Sequence, residues 1–207
     1  MLKNGQVASD LDLDGLYSPP AEMIRKAMAS RLHPHHCAYL AQATFFSLAT
    51  GRDAGLDVSP RGGPAGFVHV IDDRTVAFAD WPGNNRIESM RNVVQDDRIA
   101  MLFIFPGLEV FLRINGRAAI STDKQLLHRL REGERLPKAA TVVTIAELIF
   151  HCGKAINRAQ LWETESRLDR KSVPSIGIIL RDLADVADTD VADIDAHYDR
   201  DVKTDLY

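Results

Sequence analysis

The sequence is short of cysteine, of long apolar runs and of excess positive charge, and each shortage removes a class of protein. Its two cysteines, Cys37 and Cys152, cannot build the several-bridge framework of a small secreted domain. A reducing, cytoplasmic setting is therefore expected. No apolar stretch approaches the ~18 residues of a membrane span. Residues 1–14 are polar and acidic rather than basic and then apolar, so no signal peptide is read there. Lys and Arg (25) against Asp and Glu (29) leave a net charge of −4, without the positive excess of a bulk nucleic-acid binder. Neither nucleic acid nor a membrane is an expected partner. A Gly-x-Gly-x-x-Gly turn after a strand, the phosphate loop Gly-x-x-x-x-Gly-Lys-[Ser/Thr] and the Gly-x-Ser-x-Gly elbow are all absent.

What is present is a chain of 207 residues, 45% hydrophobic, enough for one domain with a core of its own. Residues 1–181 read as that single domain, with an N-terminal helical segment. Residues 182–207 read as an acidic arm or tail, with nine Asp against Arg200 and Lys203. Leu183, Val186, Val191, Ile194 and Tyr198 recur there at roughly helical spacing, which fits a peripheral helix; a solvated tail fits as well.

The order of elements follows from periodicity and punctuation. After an extended start, Ser18-Pro19-Pro20 opens a helix with Met23, Ala27, Met28 and Leu32 on one face, ended by Pro34. A short helix follows at 37–43. Strands are read at 45–49, 58–61, 66–71 and 75–79, the last two joined as a hairpin through Asp72-Asp73. Asn85, with Glu88 three residues on, has the form of a capping box and opens a helix to about Val94. Further strands are read at 98–105, at 109–120 with a bend at Gly116, and at 141–150. Helices are read at 123–131 and 154–167. Successive strands broken by short helices, without strict β-α-β alternation, point to a mainly β fold: a closed antiparallel barrel with helices outside.

Four clusters carry chemical potential. His33, His35, His36 and Cys37 sit too close along the chain to converge as zinc ligands and have no matching pair elsewhere, so no metal is expected. Ser59-Pro60-Arg61-Gly62-Gly63 puts a hydroxyl, a guanidinium and two glycines together, a set that suits an oxyanion; it also reads as an ordinary loop. Asp80-Trp81-Pro82-Gly83-Asn84-Asn85-Arg86 leads into a helix bearing Ser89, where helix-terminal amides, Arg86 and Ser89 can meet a phosphate; a capped structural helix reads the same way. Lys154, Arg158 and Trp162 recur every four residues, one helical stripe able to hold an anion and stack on a flat ring, or simply a cation–π surface.

Taken in order, these segments resemble a known family. Ser59-Pro60-Arg61-Gly62-Gly63 is followed by Gly66-Phe67-Val68-His69-Val70, a hairpin and Asp80-Trp81-Pro82-Gly83-Asn84-Asn85-Arg86. Then come the runs 101–107 and 112–118, and His151-Cys152-Gly153-Lys154-Ala155. Over residues 17–162 this is similar to the flavin-binding split-barrel proteins related to pyridoxamine 5′-phosphate oxidase, in particular an uncharacterised bacterial branch. The resemblance implies a six-stranded antiparallel split β-barrel, a homodimer, and FMN at the subunit interface. It implies an oxidoreductase acting on a small molecule, with no general acid or base singled out. By the same analogy Arg61, Asn84, Asn85, Arg86 and Ser89 fall at the phosphate and ribityl end. Val58 and Ser59 offer backbone to the ring, and Lys154, Arg158 and Trp162 come from the C-terminal element of either subunit. The chain departs from the oxidase in having Asn84-Asn85-Arg86 where the oxidase carries an Arg-Lys pair. It also lacks a clear match to the oxidase's C-terminal substrate residues, so the resemblance carries the cofactor further than the reaction. A non-catalytic flavin carrier or sensor, or the same barrel holding haem or a deazaflavin, stays open.

Overall fold

A computed structural model describes residues 10–81, 86–185 and 189–204. In chain order the elements are α1 (Asp10–Leu16), α2 (Glu22–Lys26), α3 (Pro34–Leu40), β1 (Phe45–Arg52), β2 (Gly55–Gly62), β3 (Val68–Asp72) and β4 (Thr75–Asp80). They continue as α4 (Glu88–Gln95), β5 (Arg98–Ile104), β6 (Val110–Ser121), α5 (Lys124–Arg129), β7 (Ala139–Cys152), α6 (Lys154–Ala159), α7 (Ile176–Ala184) and α8 (Val191–Thr204).

Among the described residues, seven strands form one antiparallel sheet in the order β2-β1-β5-β6-β7-β4-β3. Strands alternate inward and outward as a pleat requires: Phe46, Leu48 and Thr50 on β1 face the same core as Met101 and Phe103 on β5 and as Leu112 and Ile114 on β6. The sheet must curl. Phe46 on β1 and Phe78 on β4 are separated by three intervening strands, roughly 19 Å if the sheet were flat at ~4.8 Å per step, yet their rings are 5.1 Å apart. This is a split barrel with peripheral helices, built on seven strands rather than the six that the resemblance implies. α4 packs on the core side of β1, where Val93 joins the core. α5 covers the opposite face, packing Leu126, Leu127 and Leu130 near Ala77 and Ala140.

Gly116 shows why β6 bends. The β6–β7 register shifts between Asn115 and Gly116, and a Cβ at Gly116 would lie 2.3 Å from the Thr144 carbonyl oxygen. Only glycine allows that approach.

The N-terminal expectations need correction. The supposed extended start holds helix α1, and the helix after Pro20 is only the five residues of α2. Met23 and Met28 are exposed, because Ala29 exchanges both backbone hydrogen bonds with Leu148 on β7 and pulls the chain out of the helix. Pro34 does not merely end a helix; it sits at the first turn of α3, where its missing N–H costs nothing. The histidines there form a cap: His33 accepts from the His35 amide at 3.3 Å, and His36 Nδ1 accepts from the His33 amide at 2.9 Å. His36 also stacks on Phe150, with ring centroids 5.0 Å apart.

Near the C-terminus, α7 straddles residue 181, the expected edge of the domain, and pairs with α8 as a helical hairpin. Within 182–207, read as a peripheral helix or a solvated tail, α8 spans Val191–Thr204, while α7 begins before the acidic segment. No helix among the described residues is long and apolar enough to cross a membrane.

Candidate functional site

Among the described residues, edge strand β2 is hydrogen-bonded to a strand on one side only, β1. Its Asp57, Ser59 and Arg61 lie opposite Thr50, Leu48 and Phe46, and so point to the inner side of the sheet. There they are half-buried, while Val58 turns outward and is exposed. An apolar barrel would bury this row at a cost, and the structure instead surrounds it with polar partners. Arg61 Nη1 donates to Ser59 Oγ at 2.9 Å and to the Pro60 carbonyl at 2.8 Å. Ser59 Oγ lies 2.8 Å from Ser89 Oγ on α4, and Ser89 Oγ donates to Asp57 Oδ2 at 3.2 Å. One turn along α4, Asn92 Nδ2 donates to Thr50 Oγ1 at 3.0 Å and fixes the helix on β1. Residues 30 apart in sequence thus meet at two hydroxyls beside one guanidinium.

Burial pulls the Arg61 guanidinium below its ordinary value, opposed by the charges of Asp80 and Asp57. Burial pushes the Asp80 carboxyl up, opposed by Arg61 and then Lys138. Both groups are partly taken out of water, and each feels the other's charge.

The other expected site residues divide. Asn84 and Asn85 lie outside the described residues. α4 begins at Glu88, with Ile87 as a cap that makes no side-chain bond, so the capping box read at Asn85 is not how this helix starts. Arg86 precedes the helix and faces Glu88, its Nε 3.6 Å from Glu88 Oε2, rather than sharing a helical face with Ser89. Lys154 and Arg158 stay one turn apart on α6, exposed. Among the described residues no hydrogen bond or ion pair joins α6 to the Ser59–Ser89 cluster.

Trp162 leaves their stripe. The helix expected over 154–167 stops at Ala159, where Gln160 takes a left-handed backbone (φ +49°) and the Leu161 amide reaches back to the Ile156 carbonyl at 3.1 Å. The usual glycine of that motif is missing, so the sequence carried no stop signal. Trp162 Nε1 then donates to the Leu108 carbonyl at 3.0 Å, and the ring lines a cleft of about 470 Å³ with Glu109, Glu163 and Glu165. Asp57 and Asn92 were missed as parts of the polar cluster, and Asp80 was named with its segment but given no role; the outward–inward alternation of β2 was the available signal for Asp57.

The described residues contain no group of three or more His, Cys, Asp or Glu arranged to hold a metal ion. The β2–α4 cluster offers an anion's terminus one partly desolvated guanidinium and two hydroxyls, beside the Asp57 carboxylate that accepts from Ser89. The hydroxyls rotate cheaply and can exchange their present partners for phosphate oxygens. The residues present therefore fit the phosphate end of a mononucleotide, with Asp57 orienting Ser89.

Several solved structures are similar to this chain at low identity. The Group A Streptococcus protein HupZ is 18% identical, with a TM-score of 0.45 over 56% of this chain and 92% of its own. General stress protein 26 of Bacillus anthracis is 13% identical, with a TM-score of 0.42 over 55% of this chain and 88% of its own. An FMN-binding protein from Syntrophomonas wolfei is 13% identical, with a TM-score of 0.43 over 62% of this chain and 88% of its own. No curated protein sequence matches. The profile described as pyridoxamine 5′-phosphate oxidase matches residues 32–152, which run from the lead-in of α3 to the last residue of β7 and take in both β2 and α4. That span is more than half of the chain, and the chain belongs to the pyridoxamine 5′-phosphate oxidase family.

Proposed function

We propose that this protein is an FMN-binding flavoprotein, an oxidoreductase acting on a small molecule, and a homodimer with FMN at the subunit interface. The observation that carries the reading is the convergence of Arg61, Ser59 and Ser89 between an edge strand and a helix in a chain of this family. When bound, the isoalloxazine would accept and pass on electrons.

The protein's own groups bind and orient. Arg61 supplies charge to the phosphate, and Ser59 and Ser89 supply hydroxyl donors. Asn84, Asn85 and Arg86 belong to the same end by analogy. Val58 and Ser59 lie on a strand whose outer edge pairs with no other strand among the described residues, which leaves backbone groups for a planar ring. Lys154, Arg158 and Trp162 are assigned to the partner's side of the interface, consistent with their lack of contact to the cluster within one chain. The reacting atoms call for no general acid or base from these residues, and none is assigned.

The test is the absorbance spectrum of purified protein, followed by titration with FMN and with riboflavin. Two flavin bands and a preference for FMN are expected; a Soret band in their place would replace this reading with a haem protein. Arg61→Ala should lose about 1.5–3 kcal/mol of FMN affinity and much less for riboflavin, since only FMN carries the phosphate. Equal losses for both ligands would move the phosphate away from Arg61.

A further inference from the structure

The C-terminal hairpin leaves apolar surface uncovered. α7 and α8 pack on one another closely: the Gly177 amide donates to Asp195 Oδ1 at 2.7 Å, and a Cβ at Gly177 would lie 2.5 Å from the Val191 carbonyl oxygen. Among the described residues no hydrogen bond or ion pair ties either helix to the sheet. On α7, Ile179, Leu180 and Leu183 are 36%, 47% and 83% exposed; on α8, Tyr198 and Val202 continue the face of Asp195 toward the helix's C-terminal end and are 41% and 46% exposed. Their spacing makes one continuous stripe on each helix. Helices of 9 and 14 residues joined by a single seam are marginal in water, so the stripes call for a cover.

Charge selects the cover. Residues 182–207 hold nine Asp against two basic residues, a charge of −7, whereas residues 1–181 hold 23 Lys and Arg against 20 Asp and Glu, a charge of +3. Two such hairpins laid on each other would set like charge against like charge. The densest positive stretch of the body is 124–138, with Lys124, Arg129, Arg131, Arg135 and Lys138 against Glu132 and Glu134. It also presents Leu136, 50% exposed. We propose that the hairpin of one chain docks on a second copy of this chain, laying its apolar stripes and aspartates on that copy's 124–138 face. The inference rests on the homodimer proposed above and adds reciprocal arms to it, as two-fold symmetry requires.

The experiment mixes heavy-isotope-labelled and unlabelled full-length chain and joins carboxylates to lysines with a zero-length carbodiimide. Linked peptides are mapped by mass spectrometry, and sedimentation velocity is run on the same sample. Mixed-isotope links from hairpin aspartates to Lys124 or Lys138 are expected. Leu183→Asp should weaken self-association about tenfold or more with an unchanged circular dichroism spectrum, because Leu183 is exposed within one chain. A dimer whose hairpin links stay within one isotope, or reach other lysines, overturns the docking and leaves the dimer standing. An unweakened Leu183→Asp dimer does the same, and a monomer overturns both.

Discussion

At the scale of single residues, this protein keeps its polar groups inside by pairing them in small sets. Thr50 and Asn92 are each 2% exposed and hold one another across β1 and α4. Asn92 Oδ1 is buried with no partner among the described residues, so the amide depends on Thr50 for its donor side. Thr50→Val should strand that donor and cost about 1–3 kcal/mol. Adding Asn92→Leu should recover most of the loss, because removing both polar partners leaves nothing unsatisfied. Urea denaturation midpoints of the single and double variants measure this, and a double variant no better than Thr50→Val would show that the pair is held for packing alone. Ser59 and Ser89 are the same device with a different outlook: Ser59 is half-buried next to a cation and Ser89 is buried behind it, so a ligand would meet Ser59 and Arg61 first.

Elements in this fold are set by where backbones approach. Gly116 is the tightest case in the sheet, and Gly116→Ala should destabilise by at least about 1–3 kcal/mol as the Thr144 carbonyl is pushed away. Gly15→Ala on α1 meets nothing within 4 Å and should be neutral or slightly stabilising. Thermal midpoints of the two variants should separate clearly, and similar values would mean that β6 relaxes around the new methyl. α3 depends on protonation as well as contact. The His36 pKa is lowered, by burial first and then by His33 and His35. Its folded state therefore favours the neutral ring, which also accepts from the His33 amide. The resulting stability is complete above the unfolded value of about 6.5 and is lost as pH falls from there through the lowered folded value. His36→Gln keeps an acceptor at the third helical position and removes the titration. Its thermal midpoint should fall less between pH 7 and pH 5 than that of the wild type. Some slope should remain, since His69 and His151 are lowered by burial too. An identical slope in both proteins would assign the acid sensitivity to those two alone.

For the whole molecule, the proposed cofactor lies between two chains, so ligand and assembly are linked. Anything that binds only the folded dimer stabilises it by mass action, about 2.7 kcal/mol when free FMN is 100 times its dissociation constant. The thermal midpoint should rise with FMN concentration, and at fixed excess FMN it should rise again with protein concentration. Differential scanning fluorimetry across both titrations checks this. A midpoint that follows FMN but ignores protein concentration would place the whole cofactor site within one chain.

The sequence by itself determined the succession of strands, the hairpin at Asp72-Asp73, the bend at Gly116 and the family, because these rest on alternation, turn chemistry and ordered local motifs within a few residues of each other. It also placed Ser59, Arg61 and Ser89 as candidates, each from its own segment. Tertiary structure alone decided that these three meet, since β2 and α4 come together only when the sheet curls and α4 closes on β1. It decided that α2 is short, because Ala29 is drawn onto Leu148, and that α6 stops at Ala159, because the Trp162 indole is held on the Leu108 carbonyl. Helical spacing reports only neighbours along one helix. Where a distant backbone offers a hydrogen bond worth about 0.5–1.5 kcal/mol, it outweighs the few tenths of a kcal/mol by which local propensity distinguishes one helix end from another.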